Sequence, residues 1–515
     1  MKVNRFFAAL LALCTVAVLS SCSGHPSDSN IRIAIDAVPY TFDPQLASNR
    51  CEQAVVRNTF EGLMRINSDG EAVCGACSDY TVSDDRLTYT FTLRDGLKWS
   101  NGDDCTADDF VFGLRRAVDP LTKAPDAHLL DSIKNASAIM SGKMNTSSLG
   151  VSADGNRVII VLERADSNLL HALSCAVAMP CNEQFFDSTG GRYGMAPEDT
   201  LYNGSFKLSK WSSSSLSLVR NSRYNGPFEA VGAGAVISFG ATSSERIKGL
   251  SSNLYDIAII DTQGVNEALS SGLSVERFTS TCWSLIYNSD DSFLSRDGVI
   301  RSLSATVGDG YKSMIPVGFE QCTGFVAEGL TVGSCSYGAN DGLTPFSGDI
   351  NAAKAAVKQA IKAHKSTPTL TVTYVDTDGM QMVASQIASS WQQNFGITVN
   401  LSAVPLDAIG TAVSAGEYQI AIYPVTADDG RVLSVFSSPA MSGIADLTAD
   451  VSRLTGSADP RTVIDTVKAA EQTAVKSGLI VPIMSSGLCC AYTDRVKNLC
   501  FDMHQGTFDI YNTWA

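Results

Sequence analysis

Apolar and polar positions alternate with a period of two in Ile31-Arg32-Ile33-Ala34-Ile35 and again where Tyr89, Phe91 and Leu93 are spaced by polar residues. Both runs predict half-buried strands. Asp95-Gly96 and Asn101-Gly102 then supply two turns whose glycines accept positive φ. Thr106, with Asp109 three residues on, predicts a capping box with Asp in place of the usual Glu or Gln. Phe110, Val111, Leu114 and Val118 follow on one helical face. Further along, the period switches repeatedly. Asp349 caps a predicted helix with Ala353, Ala356, Val357, Ala360 and Ile361 on one face, and Leu370, Val372 and Tyr374 mark a strand. Met380, Val383, Ile387, Trp391 and Phe395 mark a second helix, stopped by Gly396. Ile397, Val399 and Leu401 give another strand, a short helix ends at Gly416, and Tyr418 to Tyr423 is the next strand. Strand–helix–strand–helix–strand predicts a parallel α/β lobe.

The N-terminus has a different pattern. Lys2 and Arg5 precede an apolar run from Phe6 to Leu19, and Ser20-Ser21-Cys22 follows. A basic start, a short apolar core and small residues make a secretion signal over 1–21, too short for a membrane span. Leu19-Ser20-Ser21-Cys22 matches the bacterial lipobox, which makes Cys22 the lipidated first residue of the mature protein. Ordinary signal cleavage that leaves a cysteine nearby is the alternative. Residues 22–30 are polar with a Pro and a Gly, so they read as a flexible tether. The expected location is outside the cytoplasm, on the bacterial cell membrane. About 490 mature residues exceed what one hydrophobic core organises, so two or more domains are expected. No internal repeat is visible.

The run from Leu87 to Pro120, LTYTFTLRDGLKWSNGDDCTADDFVFGLRRAVDP, is the most distinctive string in the chain. It closely resembles the fingerprint of the peptide-type extracytoplasmic solute-binding proteins of ABC importers, the oligopeptide/dipeptide/nickel family. Phe42-Asp43-Pro44 and Phe60-Glu61-Gly62-Leu63 fit that family's "LDP" and "FEGL", the first with Phe in place of Leu. Asn203 to Leu208 is a degraded "GxGPYxL", and Asn221 to Tyr224 fits "NxxY". Asn288, Arg301, Ala470-Glu471 and Ile480 to Pro482 sit where later landmarks fall. The likeness is strong before Gly226 and patchy after it. It implies an α/β, two-lobed clamp of the periplasmic-binding-protein type II class. Lobe I is then discontinuous (31–55, 190–275 and 486–515), a subdomain carrying the fingerprint is inserted at 56–189, and lobe II is 276–485. Within the family the Trp99 and Asn101 run is mainly a structural turn, which gives both a packing role.

Of 14 cysteines, Cys14 leaves with the signal and Cys22 carries lipid, so 12 remain. An even number on the oxidising side favours disulfides. The candidates are Cys51, Cys74, Cys77, Cys105, Cys175 and Cys181 in the first part, and Cys282, Cys322, Cys335, Cys489, Cys490 and Cys500 in the second. Connectivity is open, with Cys175–Cys181 and Cys322–Cys335 as local pairs and Cys489 and Cys490 each pairing elsewhere. Bridges are expected within each part, because one between moving lobes would oppose closure. Cys74 and Cys77 form a lone C-x-x-C where the family has Pro and a charged residue. No second C-x-x-C or βαβ redox pattern accompanies it.

A net charge of -15 argues against nucleic acid or anionic lipid as a partner. The five histidines (His25, His128, His171, His364, His504) have no i, i+4 pair, and no G-x-S-x-G, P-loop or H-E-x-x-H occurs. No metal, cofactor or enzymatic activity is expected. The resemblance assigns one binding residue: an aspartate after a lobe II strand pairs with the α-amino group of a bound peptide, and Ala427-Asp428-Asp429-Gly430 puts Asp428 there. Ile422 and Val425 stand where an arginine and an aromatic usually precede it, and Asp429 replaces a tyrosine. A solvated Asp-Asp-Gly turn accounts for the same residues equally well. The expected function is a lipid-anchored, monomeric receptor that closes on an oligopeptide and passes it to an ABC permease. A surface sensor or pheromone receptor is the other class. The same scaffold also carries dipeptides, nickel chelates, haem or oligosaccharides.

Overall fold

The computed structural model describes residues 30–515 apart from 68–70, 317, 328–329, 333–334, 338–339, 341–342, 344–345, 378, 427–431, 439–440, 442–458 and 503–506. The expected signal at 1–21, Cys22 and most of the expected tether at 22–30 therefore lie outside the described residues. A mixed sheet of 11 strands runs through the molecule. Its order is Thr398–Val404, Thr369–Val375, Ile420–Thr426, Ser274–Tyr287, Ile480–Tyr492, Ile257–Ile260, Ile31–Ile35, Gly234–Phe239, Ser215–Arg220 and Phe206–Trp211. Glu320–Gln321 adds to Ile480–Tyr492 off that path.

Two parallel groups stand at either side of this sheet. Ile31–Ile35 is parallel to both Gly234–Phe239 and Ile257–Ile260. Thr369–Val375 is parallel to both Thr398–Val404 and Ile420–Thr426, joined by helices Met380–Phe395 and Leu406–Ala415. That is the α/β lobe expected from the alternating periods. Between the groups run two antiparallel strands of 14 and 13 residues, Ser274–Tyr287 and Ile480–Tyr492. Their pairing extends from Ser274↔Tyr492 to Ile286↔Ile480, with register shifts at Thr279/Thr281 and at Trp283/Ser284. Such irregularities bend a strand and raise its twist.

Packing divides at the same two strands. One core holds buried residues from Ile31 to Ile259 together with Cys490, Val496, Phe508 and Ile510. A second holds buried residues from Cys282 to Met484. A small third core backs the first parallel group, through Ala34, Ile247, Ala258, Ile260 and Cys489. The result is a two-lobed α/β clamp with a continuous ribbon of two strands passing from lobe to lobe.

The fingerprint run builds part of the first lobe. Thr88–Leu93 is a strand of a separate four-stranded sheet, with Tyr89, Phe91 and Leu93 buried. Helix Ala107–Val118 starts at Thr106, whose N–H donates to the Asp109 carboxylate at 2.8 Å. Trp99 is fully buried and its indole N–H reaches the same carboxylate at 3.1 Å. Asn101 holds its own turn, accepting from the Asp103 N–H at 3.0 Å. The helix expected after Asp349 is Ile350–His364, with Asp349 accepting from the Asn351 N–H at 2.8 Å. Gly396 ends its helix with φ +66°, a conformation that favours glycine.

One boundary differs. The strand read from Tyr418 to Tyr423 is Ile420–Thr426 and runs through Pro424. Its pairing with Thr369–Val375 stops at Tyr374↔Ile422, so Pro424 lies past the last residue bonded on that side. Proline is tolerated where a strand edge is unpaired.

Candidate functional site

Strand register locates the cleft. Ile31–Ile35 runs parallel to Ile257–Ile260, whose last residue Ile260 pairs with Cys489. In the other lobe Thr426, the last residue of its strand, pairs with Thr281, which in turn pairs with Ser486. The carboxyl ends of both parallel groups therefore converge on the middle of the crossing ribbon. In open α/β sheets, ligands sit beyond the carboxyl ends of the strands.

At this point one backbone edge of the ribbon carries no paired strand among the described residues. One edge of Ile480–Tyr492 is covered by Ile257–Ile260 from Cys489 to Tyr492 and by Glu320–Gln321 at Met484 and Ser485. Among the described residues no strand pairs with Ser486–Leu488 on that edge. An unpaired edge offers N–H and C=O groups to any extended chain. The indole N–H of Trp283, on the companion strand, donates to the Ser486 hydroxyl at 2.8 Å.

The first lobe adds an apolar wall. Beyond the end of Ile31–Ile35, Val38 is 41% and Tyr40 75% exposed, and nearby Met195 is 55% exposed. Val38, Pro39, Met195, Trp211, Ser212 and Phe239 surround a cavity of ≈ 440 Å³. Grouped exposed apolar side chains mark interaction sites better than scattered ones do. Charges flank this wall. Asp36 pairs with Arg50 at 2.6 Å. Buried Arg246 is held below the usual guanidinium range by burial, against the pull of Asp36 and Asp261.

The second lobe contributes a strap. Glu320 pairs with Arg277 across the ribbon, and Cys322 follows two residues later. Behind it the Glu471 carboxylate is buried, accepting from the N–H groups of Phe325 at 2.8 Å and Val326 at 2.9 Å. It also accepts from the Tyr337 hydroxyl at 2.5 Å and the Asn340 amide at 3.1 Å. Four donors on one carboxylate fix this loop.

Asp428 lies outside the described residues, two positions after Thr426. The side chain of Cys335 is also outside them. Cys51, Cys105 and Cys181 are buried. The sulfurs of Cys175 and Cys181 have different hydrogen-bond partners: Cys175 donates to the His171 carbonyl at 3.4 Å, and Cys181 accepts from Arg116 at 3.5 Å. Burial pushes the Cys105 and Cys490 thiols well above their ordinary range. Cys489 and Cys490 face opposite sides of their strand, one in the small core and one in the first. Cys500 opens the short strand Cys500–Asp502. Two pairs of sulfurs lie close: Cys74 and Cys77 at 2.8 Å, Cys282 and Cys322 at 3.0 Å. Among the described residues no group of three or more His, Cys, Asp or Glu is placed to hold a metal, and no helix is long and apolar enough to cross a membrane.

Sequence reasoning missed the Ser486–Leu488 edge and Trp283. The signal was present as an apolar stretch, Ile480 to Tyr492, too long for an ordinary strand and interrupted by Ser485-Ser486-Gly487.

A family model described as "Bacterial extracellular solute-binding proteins, family 5 Middle" matches residues 71–443. The chain belongs to that family. It is therefore a solute-binding protein and not an enzyme. The oligopeptide-binding protein OppA of Bacillus subtilis (strain 168) is 34% identical over 235 residues, 43% of this chain and 43% of the relative. The alignment thus spans less than half of that relative's length. Among solved structures, MppA, a periplasmic murein tripeptide binding protein in an unliganded open form, superposes with a TM-score of 0.77 at 21% identity, over 96% of this chain and 98% of that one. Listeria monocytogenes OppA bound to peptide gives 0.68 at 22% identity, over 95% and 99%. This solute-binding protein shares their two-lobed fold.

Proposed function

We propose that this solute-binding protein captures extended oligopeptides between its lobes and delivers them to an ABC permease, acting as a monomer held outside the cytoplasm by a lipid on Cys22. The carrying observation is the bare edge at Ser486–Leu488, bounded on one side by a first-lobe strand and on the other by the second-lobe strap. A peptide lying there adds a strand: its main chain gains hydrogen bonds whatever its sequence, while pockets such as the one around Trp211 read side chains. The relative named as an oligopeptide-binding protein supports this choice of cargo.

Asp428 is the anchor for the peptide's amino terminus. It follows a strand whose end pairs with Thr281 at the ribbon's midpoint, and a carboxylate enclosed between closing lobes is poorly screened. Removing it leaves the ammonium group buried without a partner, at roughly 3–5 kcal/mol, or hundreds-fold in affinity. The test starts with mass spectrometry of cargo co-purified from the native host. Calorimetry then compares that cargo with its N-acetylated form on wild type and on Asp428→Asn. Acetylation should weaken binding to wild type, and the variant should bind both forms poorly. Equal affinity of wild type and variant for the unmodified cargo would reject the anchor, and co-purified cargo that is not peptide would reject the substrate class.

A further inference from the structure

We propose that Cys282 and Cys322 form a disulfide that ties the second-lobe strap to the crossing ribbon. Their sulfurs are 3.0 Å apart, about one ångström outside the bonded distance of about 2.05 Å. Cys282 is 2% exposed, on the ribbon strand one residue past Thr281, and its sulfur also lies 3.0 Å from the Gly324 carbonyl. Cys322 directly follows the strap strand Glu320–Gln321. The two are 40 residues apart in sequence, and no regular element brings them together by local geometry. Their approach is a product of the tertiary fold.

The strap has reason to need a crosslink. Gln321, Cys322 and Thr323 stand between two cavities, one of ≈ 180 Å³ against Glu471 and one of ≈ 310 Å³ against Tyr311 and Pro482. A segment with voids on both faces loses packing contacts on both, and its strand pairing covers two residues only. A covalent link at Cys322 holds it against Ser485 and so sets the lower limit of the bare edge at Ser486–Leu488. Both cysteines belong to the second lobe, so the link leaves lobe closure free.

The bond forms by thiol–disulfide exchange with an extracytoplasmic oxidoreductase carrying a disulfide. The Cys322 thiolate attacks that disulfide, a mixed disulfide forms and one oxidoreductase thiolate departs. The Cys282 thiolate then attacks the Cys322 sulfur, closing the internal bond and expelling the second thiolate. The two thiol protons end on the oxidoreductase, now a dithiol, which has taken the two electrons.

A second pairing stands on its own distance. Cys74 and Cys77, 2.8 Å apart, end one strand and begin the next around Gly75-Ala76, whose N–H groups are held by the Leu63 and Gly62 carbonyls. The geometry points to a disulfide closing this turn.

Peptide mapping tests both. The mature protein, secreted and purified with N-ethylmaleimide present, is cut without reduction by trypsin and by a protease specific for glutamate. Cleavage after Arg277, Arg296, Glu320, Glu328 and Lys354 puts Cys282, Cys322 and Cys335 on three separate fragments. The expected result is a linked pair of the Cys282 and Cys322 fragments. The fragment with Cys74 and Cys77 should be lighter by two hydrogen atoms and free of maleimide. In Cys282→Ser, maleimide should appear on Cys322. Separate maleimide adducts on Cys282 and Cys322 in the wild type, or a Cys322–Cys335 link, would overturn the first assignment. Two maleimides on the Cys74 and Cys77 fragment would overturn the second.

Discussion

Trp283 donates its indole N–H to the hydroxyl of Ser486 at 2.8 Å, binding together the two long strands where they pass from one lobe to the other. The indole is 8% exposed and stands beside the unpaired edge. A peptide entering there changes the polarity around the ring. Titration with cargo should therefore change the intrinsic fluorescence of the wild type, and Trp283→Phe should lose most of that change. The same variant loses one hydrogen bond, worth about 1 kcal/mol, so its urea midpoint should fall modestly. A fluorescence response unaltered in Trp283→Phe would place the cargo away from the ribbon.

Glu471 should be among the costliest single positions in the second lobe. Its carboxylate is buried and accepts from two backbone N–H groups, a tyrosine hydroxyl and an asparagine amide. Glu471→Ala strands these donors without an acceptor, at a cost on the order of 3 kcal/mol or more. Glu471→Gln should lie between, since its amide keeps one acceptor but turns a donor toward other donors. Urea denaturation of the three proteins gives this order directly.

Acid should weaken the join between the first strand and its neighbour. Asp256 accepts from Arg32 through its backbone N–H at 3.0 Å and its guanidinium at 2.7 and 2.9 Å, and Arg495 also pairs with it. Burial opposes ionisation of Asp256, but the two arginines outweigh it and hold the carboxyl below its ordinary value of 3.8. A depressed carboxyl stabilises the fold above its unfolded pKa, and that contribution is lost as pH falls through the lower folded value. The stability gap between wild type and Asp256→Asn should be full above about pH 4 and shrink below it. Urea midpoints across this range measure the gap; one that widens on acidification would reverse the assignment.

Local patterns were readable where the chain decides its structure locally. The cap at Asp349, the stop at Gly396 and the alternation through Tyr89, Phe91 and Leu93 each depend on residues within one or two turns of one another. The ribbon was not readable in this way. Ser274–Tyr287 carries Glu276, Arg277, Thr281 and Ser284 among apolar residues, and its register shifts break the period of two. Its partner begins 193 residues after it ends, from Tyr287 to Ile480. The strand through Pro424 extends three residues past the Tyr423 boundary read from the sequence, and only the tertiary arrangement shows the edge beside Pro424 to be open. Ala470-Glu471 was visible as a family landmark. The role of Glu471 depends on four donors between 130 and 150 positions upstream, which no local pattern reveals.

Replacing the lipobox cysteine tests the anchor. Cys22→Ser should move the protein from the membrane fraction to the soluble fraction with cargo affinity unchanged, as the proposed lipid anchor at Cys22 requires. Membrane retention of the variant would assign the anchor elsewhere.

On the proposed function, an extended peptide completes the sheet edge at Ser486–Leu488. Hydrogen–deuterium exchange of these backbone amides, with and without saturating co-purified cargo, measures this directly. Exchange at Ser486–Leu488 should slow sharply on binding, while the strand Thr88–Leu93 of the separate four-stranded sheet is unchanged. Saturating cargo that leaves Ser486–Leu488 exchanging at the free rate would contradict it.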